Sequence, residues 1–488
     1  MHSYGTKTIA ISACDNFNMQ TINQKSAKKA WAKALQEPAK EFPLTPLSII
    51  NGEIPTTLNG TLYRNGPARL ERGGIPVGHW FDGDGAILAV HFMGGNATAV
   101  YRYVETEGFK EEATAGKLLY GNYGMTAPGA IWNQWLKPTK NAANTSVLAL
   151  PDKLLALWEG GNPHALNLQN LDTLGKDDLG GLDVGNGYSA HPKVDFHTGE
   201  IFNFGISVGL NATLNIYKSD ATGRITKKAA HQLDGVPFVH DFVLAGGYLI
   251  FFIPPLRLNL FMPAIGLGCF SDALQWQPNK GTQILVIDRE TLNIVSRNQT
   301  EPWYQWHFGN GYVDNSNSVI VDIASYEDFQ TNQYLKEVPT GETHTAAKSI
   351  FTRVNLNPQT GKVNQIEQLF DRNCEFPIVP QQNLGKFSRY TYLSISSSGT
   401  DISKEILNSM ARFDHQTNSF IEAEFGENRY PSEPIYAQGW ILTVVYDGNS
   451  DCSEVWIFDA DRLNQEPVCK LSLPSVIPPS FHGTWKDA

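Results

Sequence analysis

The sequence has 488 residues, of which 41% are hydrophobic and 18% charged, and its formal net charge is −11 at pH 7. This composition supports a sizeable hydrophobic core and excludes a chain that is disordered throughout. Because no basic cluster offsets the acidic balance, nucleic acid is excluded as a partner.

The cysteines indicate a reducing setting. They are odd in number, widely scattered and contain no CxxC pair: Cys14, Cys269, Cys374, Cys452 and Cys469. This pattern argues against both a disulfide scaffold and a thiolate metal site. The first residues show no signal peptide, and no apolar stretch is long enough to span a bilayer. We therefore expect a cytoplasmic protein.

Residues 1–45 are predicted to form an N-terminal tail with one short helix. The segment around Trp31 and Leu35 is rich in Ala and Lys, and Pro38 ends it. Beyond it, Val, Ile, Tyr and Phe alternate with polar residues in short runs separated by Gly, Asn and Asp, which is typical of β-strands. Residues 46–488 are therefore predicted to form one β-rich domain.

A unit of two apolar strands joined by a short polar turn recurs along this domain. Seven such turns are found, near Gly94, Gln169, Asp220, Asp288, Asn357, Asp414 and Asp459. Radial closure of seven similar units leaves few exposed sheet edges. The predicted fold is all-β, a seven-bladed β-propeller with helical and loop insertions that cap one face. A sandwich of similar hairpins is the alternative.

One apolar segment, Pro254–Phe270, has a single charge at Arg257 and is too short to span a bilayer. It is interpreted either as a buried loop or helix, or as an exposed patch that dips into a membrane surface or surrounds the mouth of an apolar tunnel.

Seven polar side chains stand in apolar or Gly/Pro-framed surroundings. They are four histidines and three glutamates: His191, His240, His307, His482, Glu159, Glu375 and Glu433. One of them falls in each interval between the predicted turns, and His482 follows the last turn. Since the inner strand of each propeller blade faces the central channel, all seven side chains are predicted to point towards one axis.

Four imidazoles and three carboxylates at one axis predict a metal site. The absence of thiolates disfavours structural zinc, and the imidazoles disfavour Ca²⁺ and Mg²⁺, whereas Fe, Zn, Cu and Ni all suit them. Four histidines would fill four of six octahedral positions, and the glutamates would accept the remaining ring N–H groups. Aromatic surroundings with few cations favour an elongated apolar ligand. A Zn²⁺ hydrolase and a non-enzymatic binding propeller stay open as alternatives.

From about Leu47 to the C-terminus, the chain resembles the carotenoid cleavage oxygenases, most closely the cyanobacterial type. The resemblance lies in five motifs: GTLYRNGP at 60–67, FDGDG at 81–85, NAANT at 141–145, Glu-Phe-Pro at 375–377 and the closing HGTW at 482–485. Ala86 and Ser432 depart from the residues that are common in the family. Neither change touches the predicted metal site.

The resemblance implies a propeller that holds one Fe²⁺ per chain through His191, His240, His307 and His482, with Glu159, Glu375 and Glu433 holding the ligand rings. It implies O₂-dependent cleavage of one C=C bond in a carotenoid or apocarotenoid, either centrally, which gives retinal, or eccentrically.

The resemblance also implies docking on a membrane. The apolar patch is expected near Leu256, Leu258, Leu260, Phe261 and Ile265. Stilbene-cleaving relatives carry Lys where this chain has Trp158, which lowers the case for a phenolic stilbene substrate but keeps it as an alternative.

Overall fold

Seven antiparallel sheets account for most of the chain. The computed structural model describes residues 28–130, 132–136, 139–259, 261 and 268–488. Each sheet is one blade, and each pair of neighbouring strands within it is antiparallel. The predicted seven-bladed β-propeller is therefore confirmed.

The strands of each blade follow one another in hydrogen-bonded order from the inner edge, at the propeller axis, to the outer edge. Blade 1 contains Gly483–Asp487, Gly60–Arg69, Asp84–Met93, Asn96–Tyr103 and Phe42–Pro46; blade 2 contains Ser146–Ala149, Leu154–Leu157, His164–Leu166 and Thr173–Lys176; blade 3 contains Lys193–Val194, Ile201–Ser207, Thr213–Ser219 and Ile225–Gln232. Blade 4 contains Val243–Ala245, Tyr248–Ile253, Thr282–Asp288 and Ile294–Thr300; blade 5 contains Tyr304–Val313, Val319–Tyr326, Ser349–Leu356 and Val363–Phe370. Blade 6 contains Cys374–Ile378, Tyr390–Ile395, Ser409–Asp414 and Ser419–Ala423; blade 7 contains Arg429–Pro431 and Ile435–Ala437, Trp440–Asp447, Cys452–Asp459, Cys469–Ser472 and Ser48–Gly52.

The seven turns predicted from the sequence all connect the third and fourth strands of a blade. Six of them use the same local chemistry, in which an Asp or Asn side chain accepts backbone N–H groups two or three residues ahead. At Asp288, for example, Oδ1 accepts the N–H of Thr291 at 2.7 Å and that of Glu290 at 3.1 Å. The equivalent side chains of the other five turns are Asn167, Asp220, Asn357, Asp414 and Asp459. The side chains that marked the turns in the sequence therefore also stabilise them.

Every pair of neighbouring blades buries its own hydrophobic cluster. Phe204 of blade 3 and Phe251 of blade 4 belong to one such cluster, and six further clusters fill the other interfaces. The last interface closes the ring, because Leu88 of blade 1 shares a cluster with Leu442 of blade 7. A closed ring of seven apolar interfaces fixes the position of every inner strand around one axis.

Both ends of the chain complete the ring. The C-terminal strand Gly483–Asp487 pairs with Gly60–Arg69, and the N-terminal strands Phe42–Pro46 and Ser48–Gly52 extend the outer edges of blades 1 and 7. The sheet thus begins at Phe42, and the boundary predicted between residues 45 and 46 lies inside a strand.

Short helices and two-stranded ribbons lie between the blade strands. The α-helices whose bounds lie in the described ranges are α1 (Glu107–Ala115), α2 (Asn133–Leu136) and α3 (Gln330–Glu337); the ribbons there are Glu71–Arg72 with Ile75–Pro76 and Leu256–Leu258 with Leu274–Trp276. The 3₁₀ helices are Ala30–Leu35, Trp80–Asp82, Ser271–Ala273, Pro278–Lys280, Val338–Thr340, Gln381–Asn383 and Ala460–Arg462. None of the helices in the described ranges has the length and apolar character needed to cross a lipid bilayer.

Candidate metal centre

Four histidine rings meet at the inner edges of four blades. His191 and His240 precede the first strands of blades 3 and 4 by two and three residues. His307 lies within the first strand of blade 5, and His482 directly precedes that of blade 1. Ring centroids are 4.3 Å apart for His191 and His240, and 4.6 Å apart for His307 and His482. The structure thus brings together the four histidines predicted from the sequence.

Burial keeps two of these imidazoles, those of His191 and His240, uncharged. It lowers the pKa of His191 and of His240 well below the ordinary value, and the neighbouring histidines lower both further. The pKa of His482 is also lowered by burial, although Glu433 opposes the shift. The neutral ring is the form of histidine that binds a metal ion.

The free ring nitrogens fit a metal ion. Nε2 of His191 and Nε2 of His307 are buried and have no hydrogen-bond partner. Nitrogens of His191, His307 and His482 lie within 4.8 Å of one another. A buried polar nitrogen without a partner costs about 1–3 kcal/mol, and coordination to a shared cation removes that cost. The donor set therefore fits a bound transition metal.

Two glutamates hold two of the rings through their other nitrogen. Nδ1 of His307 donates to Oε2 of Glu375 at 2.6 Å, and Nδ1 of His482 donates to Oε1 of Glu433 at 2.9 Å. Each carboxylate has a further donor, the Tyr326 hydroxyl at 2.8 Å on Glu375 and the Gly483 N–H at 2.8 Å on Glu433. Both rings thus keep Nε2 directed towards the centre.

Glu159 is placed differently from the expectation. It lies in the turn after the second strand of blade 2, whereas an inner strand was predicted. Its Oε1 is 3.3 Å from Nε2 of His191 and 3.4 Å from Nδ1 of His240, without a hydrogen bond to either. Burial, and secondly the charge of Asp241, raises the pKa of Glu159 well above its ordinary value.

Asp241 connects the segments that carry three of the histidines, a role that the sequence did not indicate. Its Oδ1 is 2.7 Å from Nζ of Lys193, two residues beyond His191. Its Oδ2 accepts the N–H of Phe308, the residue after His307, at 3.2 Å. The side chain is almost fully buried. Because Asp241 itself follows His240, one carboxylate connects the start of blade 4 with a lysine side chain of blade 3 and with the backbone of blade 5 beside the centre.

Arg64 and Asn65 hold the fourth histidine and come from the GTLYRNGP motif. The buried guanidinium of Arg64 donates to the carbonyls of Glu433 at 2.7 Å and Phe481 at 2.9 Å. Asn65 exchanges backbone hydrogen bonds with both Phe481 and His482. The N-terminal motif thus fixes the loop that carries His482 and the carboxylate that holds its ring.

Phe376 covers one side of the centre. Its ring is stacked on His307 at 5.1 Å and lies edge-on to His482 at 5.2 Å. Its φ of 52° lies in the left-handed region, which is strained for a bulky residue and costs on the order of 1–3 kcal/mol. A single sequence does not reveal this backbone conformation.

A cavity of about 640 Å³ adjoins the centre, and His240, His307 and His482 form part of its wall. Most of the wall is apolar, with aromatic rings from Phe238, Trp306 and Phe376. Apart from the histidines, its only ionisable acid or base side chains in the described residues are Glu159, Glu375 and Glu433 and the hydroxyls of tyrosines. Among the wall residues that the structure describes, there is no lysine or arginine with which to recognise an anionic ligand.

The family model described as "Retinal pigment epithelial membrane protein" matches residues 35–487, nearly the whole chain. The chain belongs to this family, the carotenoid cleavage oxygenases. The resemblance stated from the sequence motifs is confirmed.

Three members of the carotenoid cleavage oxygenase family illustrate the similarity. The apocarotenoid-15,15'-oxygenase of Synechocystis sp. is 31% identical over 478 residues, which cover 93% of this chain and 96% of that protein. The isoeugenol monooxygenase of Pseudomonas putida is 27% identical over 460 residues, with coverage of 90% and 94%. The crystal structure of cobalt-substituted Synechocystis ACO has a TM-score of 0.84 at 30% identity, covering 94% of this chain and 98% of that one.

We predict that Glu375→Gln lowers the affinity of the protein for Fe²⁺ or Co²⁺ by about 10- to 100-fold, since the charged acceptor of the His307 ring is lost. The affinity is measured by competition with a chelator. Glu367→Gln, an exposed glutamate on the outer strand of the same blade as His307, is the matched control. Equal affinities of the two variants would contradict the role assigned to Glu375.

We predict that Asp241→Asn lowers the metal affinity about tenfold and shifts the visible absorption spectrum of the Co²⁺-loaded protein, because the charge that holds Lys193 is removed. Lys193→Met removes the same ion pair from the other side and is expected to act in the same direction. Asp234→Asn, which breaks an exposed pair with Lys280, serves as control. An unchanged spectrum and affinity in both site variants would show that Asp241 does not position the rings.

Proposed function

We propose that the protein is a non-haem iron dioxygenase that cleaves one C=C bond of a carotenoid or apocarotenoid and gives two carbonyl products. The observation that carries the proposal is a cluster of four imidazoles beside an apolar cavity, whose wall includes three of them. A similar protein is named apocarotenoid-15,15'-oxygenase, and the fold and chain length correspond closely. Both a central cut and an eccentric 9,10 cut are compatible with these observations.

Fe²⁺ is the proposed metal, with one ion per chain. His191, His240, His307 and His482 would hold it through their imidazole nitrogens. Bound Fe²⁺ would supply the activation of O₂ next to the double bond. Glutamates that do not themselves bind the ion would balance its charge. Although burial alone would raise the pKa of Glu433, His482 and Arg64 hold it below its ordinary value and keep this carboxylate ionised.

Apolar burial would position the substrate. Each buried CH₂ contributes about 0.8 kcal/mol, so a polyene with some twenty carbons gains on the order of 10 kcal/mol before entropic costs. The rings of Trp306 and Phe376, which pack against His240 and His307, would confine the double bond beside the centre. No side chain is assigned as a general base.

A smaller phenolic alkene is the second candidate substrate. The similarity to a protein named isoeugenol monooxygenase favours it. Trp158 lines the cavity and directly precedes Glu159 in the sequence. Its apolar ring favours a substrate whose end is apolar over one whose end is an ionised phenol. The stilbene alternative belongs to the same class.

The test is to incubate Fe²⁺-loaded protein with β-carotene, a shorter polyene aldehyde, a stilbene and isoeugenol, with and without O₂, and to identify products by mass. We expect two carbonyl fragments from a polyene, only with O₂.

His240→Ala should lose both iron and activity, whereas the exposed His344→Ala should keep both. An iron-loaded, active His240→Ala protein would refute the site. Stoichiometric zinc with O₂-independent hydrolysis would favour a hydrolase, and wild-type protein that binds no metal would favour a non-enzymatic propeller.

The proposal includes association with a membrane surface from the cytoplasmic side. Its support is a set of exposed apolar residues that line the cavity or lie within a few residues of a lining residue in the sequence: Trp132, Trp135, Leu136, Val208 and Phe261. Val208 itself lines the cavity, and Trp132, Trp135 and Leu136 lie a few residues before the lining residue Thr139. The four cysteines in the described ranges are free, in line with a reducing compartment.

The patch expected from the sequence is corrected in part. Leu256 is fully buried, because the ribbon Leu256–Leu258 turns it towards Tyr304 and Trp306, so it cannot contact lipid. Leu258 is half-buried and lines the cavity, whereas Phe261 is exposed. Leu260 and Ile265 lie outside the described residues.

We predict that the wild-type protein sediments with neutral phosphatidylcholine vesicles and that Trp132→Ser/Trp135→Ser/Phe261→Ser reduces the bound fraction several-fold, since interfacial tryptophans favour the headgroup region. Met93→Ser/Leu174→Ser removes similarly exposed apolar groups from hairpins of blades 1 and 2 and is the control. Because the net charge is −11, binding should not need anionic lipid. Equal binding of both variants and wild type would refute this surface.

A further inference from the structure

The cavity extends across the propeller axis. Its exposed lining residues are Thr139, Gly160, Gly185 and Val208, which belong to blades 2 and 3 or to the segments beside them. We call this part the outer arm. On the other side, the wall is formed by Ile402, Ile406 and Leu407 from the loop between the second and third strands of blade 6. We call this part the inner arm. In a ring of seven blades, blade 6 lies opposite blades 2 and 3, and the histidines lie between the two arms.

The inner arm is backed by the N-terminal segment. Trp31 in the 3₁₀ helix Ala30–Leu35 is completely buried, and its Nε1 donates to the carbonyl of Lys404 at 3.1 Å. Nζ of Lys29 lies 2.7 Å from Oε1 of Glu405. Two contacts therefore join residues 29–31 to the middle of the 401–407 loop.

The same loop is held from inside the cavity wall. The Tyr334 hydroxyl of α3 donates to the carbonyl of Glu405 at 3.0 Å, and the Tyr430 hydroxyl of blade 7 donates to Oε2 of Glu405 at 3.1 Å. Ile406 shares a hydrophobic cluster with Trp31, Tyr430 and Phe481, and Phe481 is the residue before His482. The loop thus has a fixed position on the far side of the metal centre.

We propose that residues 29–35 and the 401–407 loop act as one unit that sets the depth of the inner arm and thereby the length of polyene that extends past the metal centre. This inference rests on the proposed function. Ile402 and Leu407 present only apolar atoms to the cavity, so selection at this end is steric. For two substrates that differ by one methylene or methyl group, a hydrophobic wall changes the ratio of their kcat/KM values by about 10- to 200-fold.

The direct test changes the wall. Leu407→Ala deepens the inner arm, and Leu407→Phe fills it. Both variants are loaded with Fe²⁺ and assayed with a series of polyene aldehydes that differ by one isoprene unit, and kcat/KM is determined for each. We expect the ratio of long to short substrates to rise about tenfold for Leu407→Ala and to fall by a similar factor for Leu407→Phe, with unchanged iron content.

The second test releases the wall without changing its lining. Lys29→Met removes the ion pair to Glu405, and Trp31→Phe removes the hydrogen bond to Lys404 while retaining a large ring. Both should shift the ratio in the direction of Leu407→Ala, by about two- to fivefold for Lys29→Met, since partly exposed ion pairs are weak. Lys33→Met is the matched control, because Lys33 lies in the same helix and pairs with Asp451 instead.

The outcomes separate the inference from the function on which it rests. Variants that cleave polyenes with the wild-type length ratio would overturn the inference and leave the proposed function intact. A shift in the Leu407 variants with none in Lys29→Met and Trp31→Phe would overturn the part assigned to residues 29–35. Wild-type protein that cleaves no polyene would overturn the proposed function, and the inference with it. Opposite shifts for the two Leu407 variants, with shifts for Lys29→Met but not for Lys33→Met, would support the unit as proposed.

Discussion

Four imidazoles packed side by side at the propeller axis are the feature on which the rest of the site depends. Burial drives the pKa of His191 and His240 far below the ordinary value, so these rings bring no charge into the interior. Their unpartnered nitrogens are costly unless a cation is shared among them. The fold bears this cost because each ring is attached to a different blade, and the ring of blade interfaces prevents the histidines from moving apart to find other partners.

The buried charges around the centre serve mainly to fix backbone segments. Arg64 contacts two carbonyls of the segments that carry Glu433 and His482, and Asp241 accepts the N–H that follows His307. A buried ion pair adds little net stability compared with an apolar pair of the same size, but loss of one partner is expensive. Such contacts are therefore better explained as constraints on geometry than as sources of stability. Arg64 and Asp241 each lie next to a histidine in space or in the sequence, as this explanation requires.

The local parts of the structure could be predicted from the sequence, and the long-range contacts could not. Each of the six Asx-type hairpin turns is set by an Asp or Asn within three residues, so its chemistry is visible in a short window. The seven polar residues in apolar surroundings were visible for the same reason. By contrast, the contact between Asp241 and Phe308 joins residues far apart in the sequence, and Glu159 reaches the centre from a turn after a second strand. Neither position follows from periodicity.

The error at Leu256 has a related cause. An apolar run shows that a segment avoids water, but it does not show whether protein or lipid provides the cover. Leu256 pairs with Trp276 in a ribbon and packs on Tyr304, so the protein covers it, whereas Phe261, five residues later, is exposed. Only the register of the ribbon distinguishes the two positions.

The distribution of polar groups also determines where specificity can arise. Two of the three glutamates of the cavity wall hold histidine rings and the third, Glu159, lies 3.3 Å from His191, and the part of the wall that the structure describes contains no lysine or arginine. A ligand held by apolar contact gains affinity from area but very little orientation, because such contact has no direction. Orientation must then come from the shape of the cavity, and the blades are too regular to vary that shape. The loops between blade strands, together with the chain segments that support them, are the parts of this fold that can change the substrate without changing the metal centre.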